Sequence, residues 1–167
     1  MSLTGDIIAS YRRPGDVLAR RMGRDGDGRG EGRALITVML ACGLIFVAQW
    51  PRLSREAYLS GQEVQMLMGG ALMGWLFIAP LALYALAAVS HLAARLMGGQ
   101  GTWYGARMAL FWALLAASPL WLLWGLVAGF VGAGPALNLI GVAALGAFLA
   151  IWIVGLHRVE TGGTAQA

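Results

Sequence analysis

Four long stretches of this chain carry no charged residue: Ala34 to Trp50, Val64 to Ser90, Met108 to Val131 and Pro135 to Leu156. A helix needs about 20 predominantly apolar residues to cross a hydrocarbon core about 30 Å thick. Each stretch meets or approaches that length, and a helix suits the bilayer because it satisfies its backbone hydrogen bonds within itself. The remainder of the chain cannot supply a water-facing surface for these segments. Charged residues make up 12% of the chain and hydrophobic ones 59%, against about 25% charged in an average soluble domain. The expectation is an all-α, polytopic transmembrane helix bundle of about four spans.

The charges flank the apolar stretches, and all twelve basic residues are arginine. Arg12, Arg13, Arg20, Arg21, Arg24, Arg29 and Arg33 precede the first span, Arg95 and Arg107 lie between the second and third, and Arg158 follows the fourth. Across the membrane only Arg52 and Arg55 are expected, in the first connecting loop and offset by Glu56 and Glu63. Such asymmetry places the arginine-rich side in the cytoplasm, and with it both termini. The net charge of +4 is read as matched by anionic lipid headgroups at the N-terminal arginines rather than by nucleic acid, because no separate basic domain exists.

Composition divides the chain further. In residues 1–22, Leu3, Ile7, Ile8 and Tyr11, then Val17, Leu18 and Met22, recur at helical spacing beside arginines. That pattern predicts two short amphipathic helices at the interface, broken near Pro14, with their apolar sides toward the membrane or toward a partner. Residues 23–33 alternate glycine with charge and read as a solvated linker. Asp25, Asp27 and Glu31 lack calcium-loop spacing, since Arg29 stands where the third acidic ligand belongs. Residues 34–157 hold the spans, and 158–167 read as a disordered tail.

The stretch GGQGTWYG, from Gly98 to Gly105, looks at first like a phosphate loop. It has no lysine and follows an expected helix instead of a strand, so it lacks the context in which such loops bind nucleotides. Gly98 and Gly99 are expected to end the second span, Thr102 to cap the third, and Trp103 and Tyr104 to seat it among the headgroups. Within spans, Pro119, just after Ser118, deprives the Leu115 carbonyl of its donor, and Pro80 does the same to Leu76. Both positions are expected to bend their helices. The pairs Gly70/Gly74 and Gly125/Gly129 allow close helix contact, within one chain or in a homo-oligomer. Cys42 is alone, and His91 and His157 sit at span ends without evident carboxylate partners. Neither a cofactor, a metal nor a catalytic group is expected.

The segment GGQGTWYGARMALFWALLAASPLWLL resembles the signature region of the Yip1 domain family, in which a glycine pair and an aromatic or hydroxyl turn precede a span with a proline after a small residue. APLALYALAAVSHLAARLMGG, the N-terminal YRRP segment and ALGAFLAIWIVGL also sit where that family places comparable elements, so the resemblance runs from about residue 8 to residue 157. It implies a multi-pass membrane protein with a cytosolic N-terminus. Family members usually have five predicted spans, one more than the stretches found here. Eukaryotic members are tied to vesicle traffic and Rab GTPases. This all-arginine chain is more similar to bacterial members, which implies an inner-membrane scaffold or assembly factor without enzymatic activity. The two prolines motivate a competing expectation, a small channel or transporter subunit, and the small size a third, an accessory subunit of a larger membrane complex.

Overall fold

The structure, a computed structural model, describes residues 3–23 and 30–162, which form helices with no strand among them. Two short helices, α1 (Leu3–Ser10) and α2 (Pro14–Met22), precede α3 (Gly30–Ser60). The second span is continuous over Val64–Leu96. It comprises α4 (Val64–Met73), a π-helical turn (Gly74–Ile78) and α5 (Ala79–Leu96). The third and fourth spans are α6 (Trp103–Phe130) and α7 (Pro135–Gly162). Four helices are thus long and apolar enough to cross a membrane. The linker and tail expectations fall partly outside the described residues. Where they can be followed, Gly30–Arg33 already belong to α3, and α7 continues to Gly162.

The bundle is organised around α6, in which every residue from Met108 to Ser118 is buried. Helix α3 packs along one side and α7 along another, while α5 touches it more lightly. Glycine sets the approach of α3. A Cβ on Gly125 would lie 1.6 Å from the Ala48 carbonyl oxygen, and one on Gly129 would lie 2.3 Å from Cβ of Pro51. Close backbone approach of this kind is how small residues bind helices together where lipid removes the hydrophobic drive. On the α7 side, a Cβ on Gly105 would meet Cγ1 of Val159 at 2.3 Å. The Gly125/Gly129 pair is therefore spent within the chain, whereas nothing lies within 4 Å of the Cβ positions of Gly70 or Gly74.

Two features depart from the expected loops and bends. Helix α3 does not stop near Trp50 but runs through Pro51 to Ser60, so Arg52, Arg55 and Glu56 are helical rather than in a loop. Its extension has a use at the end of α6. One guanidinium nitrogen of Arg55 donates to the carbonyls of Gly129 at 3.1 Å and Phe130 at 3.4 Å, groups that a helix end leaves without partners. In the second span the proline is accommodated by the π-helical turn immediately before α5, and Pro80 itself is buried. Widening the coil there relieves the crowding that a proline ring imposes on the preceding turn. Pro119, by contrast, is exposed on the surface of an unbroken α6.

The N-terminal pair of helices forms as expected, but its buried side faces protein. Ile7, Val17 and Leu18 join the same core as Phe111 and Trp112. With them go polar groups that the amphipathic reading did not single out. Asp6 is buried and pairs with Arg21 at 2.8 Å, and the Arg21 guanidinium lies 3.8 Å from the centroid of the Trp112 ring. The Trp112 indole donates to the Ser10 hydroxyl at 2.9 Å, which in turn donates to the Asp6 carbonyl at 2.7 Å. Arg21 is therefore engaged with Asp6 and Trp112 while part of its side chain stays exposed. The Tyr11 hydroxyl donates to the Ala116 carbonyl at 3.0 Å, and burial raises its phenol above the usual tyrosine range, keeping the donor protonated.

Replacing Gly125 with Ala is expected to lower stability by at least about 1–3 kcal/mol, the cost of overpacking a fitted interface. Replacing exposed Gly70 with Ala should be neutral or stabilising by up to about 1 kcal/mol, from helix propensity. Thermal unfolding in detergent would show both, and equal behaviour of the two variants would contradict the role given to Gly125.

Candidate functional site

At the end of the bundle where α5 gives way to α6, three segments meet on one carboxylate. Helix α5 carries His91, α7 carries Glu160, and the connection from Met97 to Thr102 passes between them. Nδ1 of His91 lies 2.7 Å from Oε1 of Glu160, with both residues buried. The other carboxylate oxygen accepts from the Gly101 amide at 2.9 Å. The Gln100 amide donates to the Glu160 backbone carbonyl at 3.0 Å, so the loop closes the last turn of α7 as well. The imidazole meets the Trp103 ring edge to face at 4.5 Å between centroids.

The glycines follow from this geometry. Helix α5 ends with the Gly98 amide donating to Arg95 and the Gly99 amide to Ala94, while Gly98 adopts a φ of +91°. That is a Schellman ending, in which a left-handed residue lets the chain turn back on its own carbonyls. Gly99 and Gly101 are needed for space. A Cβ at Gly99 would lie 2.6 Å from the second carboxylate oxygen of Glu160, and one at Gly101 would lie 2.7 Å from its Cδ. A glycine-rich loop here wraps an acidic side chain, the reverse of a phosphate cradle. After it, Thr102 accepts from the Gly105 amide at 3.0 Å and starts α6.

The other residues singled out in the sequence are dispersed. Trp103 is half exposed beside His91, and the ring of Tyr104 lies against Gly30, where a Cβ would approach it to 3.1 Å. Ser118 is buried within α6, some way from this joint, with Pro119 beside it at the surface. Pro80 lies at the start of α5, eleven positions before His91. Glu160 was missed because it was assigned to the tail, which left His91 without a visible partner. The signal that could have found it is the buried face of α7, Ala144, Ile151 and Gly155, which returns at Glu160.

Chemically, the joint is a clasp. Nδ1 of His91 and both carboxylate oxygens of Glu160 are already answered by neighbours, and no three His, Cys, Asp or Glu side chains come together among the described residues. Next to it, a cavity of about 580 Å³ opens between the loop and α7, lined by Met97, Gly99, Ile153 and Leu156 with His157 at its rim. Removing one partner of a buried hydrogen bond typically costs about 1–3 kcal/mol because the other is left unanswered. Glu160→Ala and His91→Ala should each fall in that range, and the double variant should lose much less than their sum. A double-mutant cycle on thermal unfolding in detergent reads this coupling, and strict additivity would mean that the pair does not act as a unit.

Among known protein families, the model of the Yip1 domain matches residues 8–166. No curated protein and no solved structure matches the chain.

Proposed function

We propose that this chain, which belongs to the Yip1 domain family, acts as a non-enzymatic scaffold or assembly factor within a bilayer. It is a multi-pass membrane protein, with four helices able to span. The observation that carries the scaffold reading is the complete burial of α6 from Met108 to Ser118. Over that stretch α6 is enclosed by α3, α5, α7 and the N-terminal pair, and polar groups beside it are engaged in internal joints. This favours a fixed platform over a channel or transporter subunit.

The surface suited to assembly is the outer side of the second span. Its most apolar window is only 11% buried, it displays Phe77, Ile78, Leu81 and Val89, and Gly70 and Gly74 leave room for a neighbouring helix, from a second copy or another membrane protein. The arginine distribution supports a bacterial inner-membrane location with both termini cytoplasmic. Tags at residues 2 and 167 should therefore report the same side.

Purification in mild detergent followed by mass spectrometry is expected to recover a stoichiometric membrane partner or a homo-oligomer. Gly70→Leu should insert normally yet lose that association. Solute flux through purified protein in liposomes, abolished by substitutions lining α6, would overturn the scaffold reading.

A further inference from the structure

We propose that the turn between α1 and α2 and the end of α7 form a binding site for the phosphate group of an anionic phospholipid. The site is independent of the scaffold reading. Arg12 and Arg13 project from the turn, and His157 and Arg158 from the last turns of α7; together they line a cavity of about 440 Å³. These residues are far apart in sequence, and the fold brings them together through Gly15. A Cβ there would touch Cγ of Arg158 at 3.4 Å, so the stem of Arg158 lies across the first turn of α2 and its guanidinium shares the rim with the other two.

Three observations point to an anion. Among the described residues, Arg12, Arg13 and Arg158 form no ion pair, although Arg21, Arg52 and Arg107 on other parts of the chain do. The one carboxylate lining the cavity, Asp16, is outnumbered three to one by guanidiniums. Like charges gathered around one space repel unless a counter-charge occupies it, and guanidiniums bind phosphate oxygens in paired hydrogen bonds. The N-terminus of α2 opens on the same cavity with no side chain capping it, adding unanswered amides and the positive end of the helix dipole.

The cavity also identifies the source of the phosphate. Its floor includes Val154, which belongs to the apolar span α7 and is exposed, as is its neighbour Ile153. A phosphate held by the arginines would thus sit at the head of an apolar track, the arrangement of a phospholipid whose chains run along α7. Such a lipid would bridge the N-terminal turn to the last span and hold α2 onto α7.

The test uses the full-length protein in detergent, with thermal unfolding measured against short-chain phosphatidylglycerol, short-chain phosphatidylcholine and inorganic phosphate. Phosphatidylglycerol is expected to raise the midpoint saturably and phosphatidylcholine to do so much less. Arg158→Gln, and Arg12→Gln with Arg13→Gln, should each weaken the phosphatidylglycerol effect by about tenfold or more, as loss of a charge-assisted hydrogen bond to phosphate implies. Arg52→Gln, on the opposite end of the bundle, should leave it unchanged. Unfolding midpoints without lipid separate loss of binding from loss of fold, and Arg158→Lys should retain part of the affinity. Equal response to both lipids, or equal weakening by Arg52→Gln, would overturn the site. Inorganic phosphate acting as strongly as phosphatidylglycerol would overturn the lipid assignment and leave a site for free phosphate.

Discussion

The close approach of α3 to α6 is the contact on which the rest of the bundle depends. Where Gly125 meets the Ala48 carbonyl and Gly129 meets Pro51, α6 places no side chain between the two helices. Lipid tails are as apolar as leucine, so the association gains little from excluding solvent and must come from contact itself. Once α3 and α6 are joined, Arg55 reaches the carbonyls at the end of α6. At the opposite end Glu31 of α3 pairs with Arg107 of α6. Helix α7 then covers the remaining side of α6, and its last turn delivers Glu160 to His91.

Polar chemistry is concentrated where the helices begin and end, and most of it is structural. The Asp6–Arg21–Trp112–Ser10 group fixes the N-terminal helices against α6. The His91–Glu160 clasp fixes the connection between the second and third spans. Each joins buried ionisable or hydrogen-bonding groups to one another, as a medium poor in water favours. Arg12, Arg13 and Arg158, around the cavity between α2 and α7, belong to neither network, which is why that surface, and not the clasp, has capacity for a ligand.

How much of this was legible in the sequence depended on range. The spans could be read because absence of charge over some twenty residues is a local property with one physical explanation. The Gly98 turn and the Thr102 cap were equally legible, since helix ends are written in the residues beside them. Glu160 and Asp6 were not, because each takes its meaning from a partner far away in the chain: His91 for one, and for the other a helix pair packed on Trp112. Amphipathic spacing in the first 22 residues correctly predicted helices but could not say whether lipid or protein would cover them. The glycine pair of GGQG was read as ending a helix, which it does, while the carboxylate that approaches Gly99 and Gly101 was invisible without the fold.

The π-helical turn at Gly74–Ile78 has a further consequence for the second span. A π turn holds one more residue than the α-helical turn it replaces, so it acts as a phase shift. The residues of α5 that meet the bundle, Pro80, Ala87 and His91, keep helical register with one another. They do not keep it with residues of α4 counted at uniform spacing across the turn. A projection of Val64–Leu96 onto a single helical wheel would therefore blend two different faces into one, blurring any stripe that either half possesses.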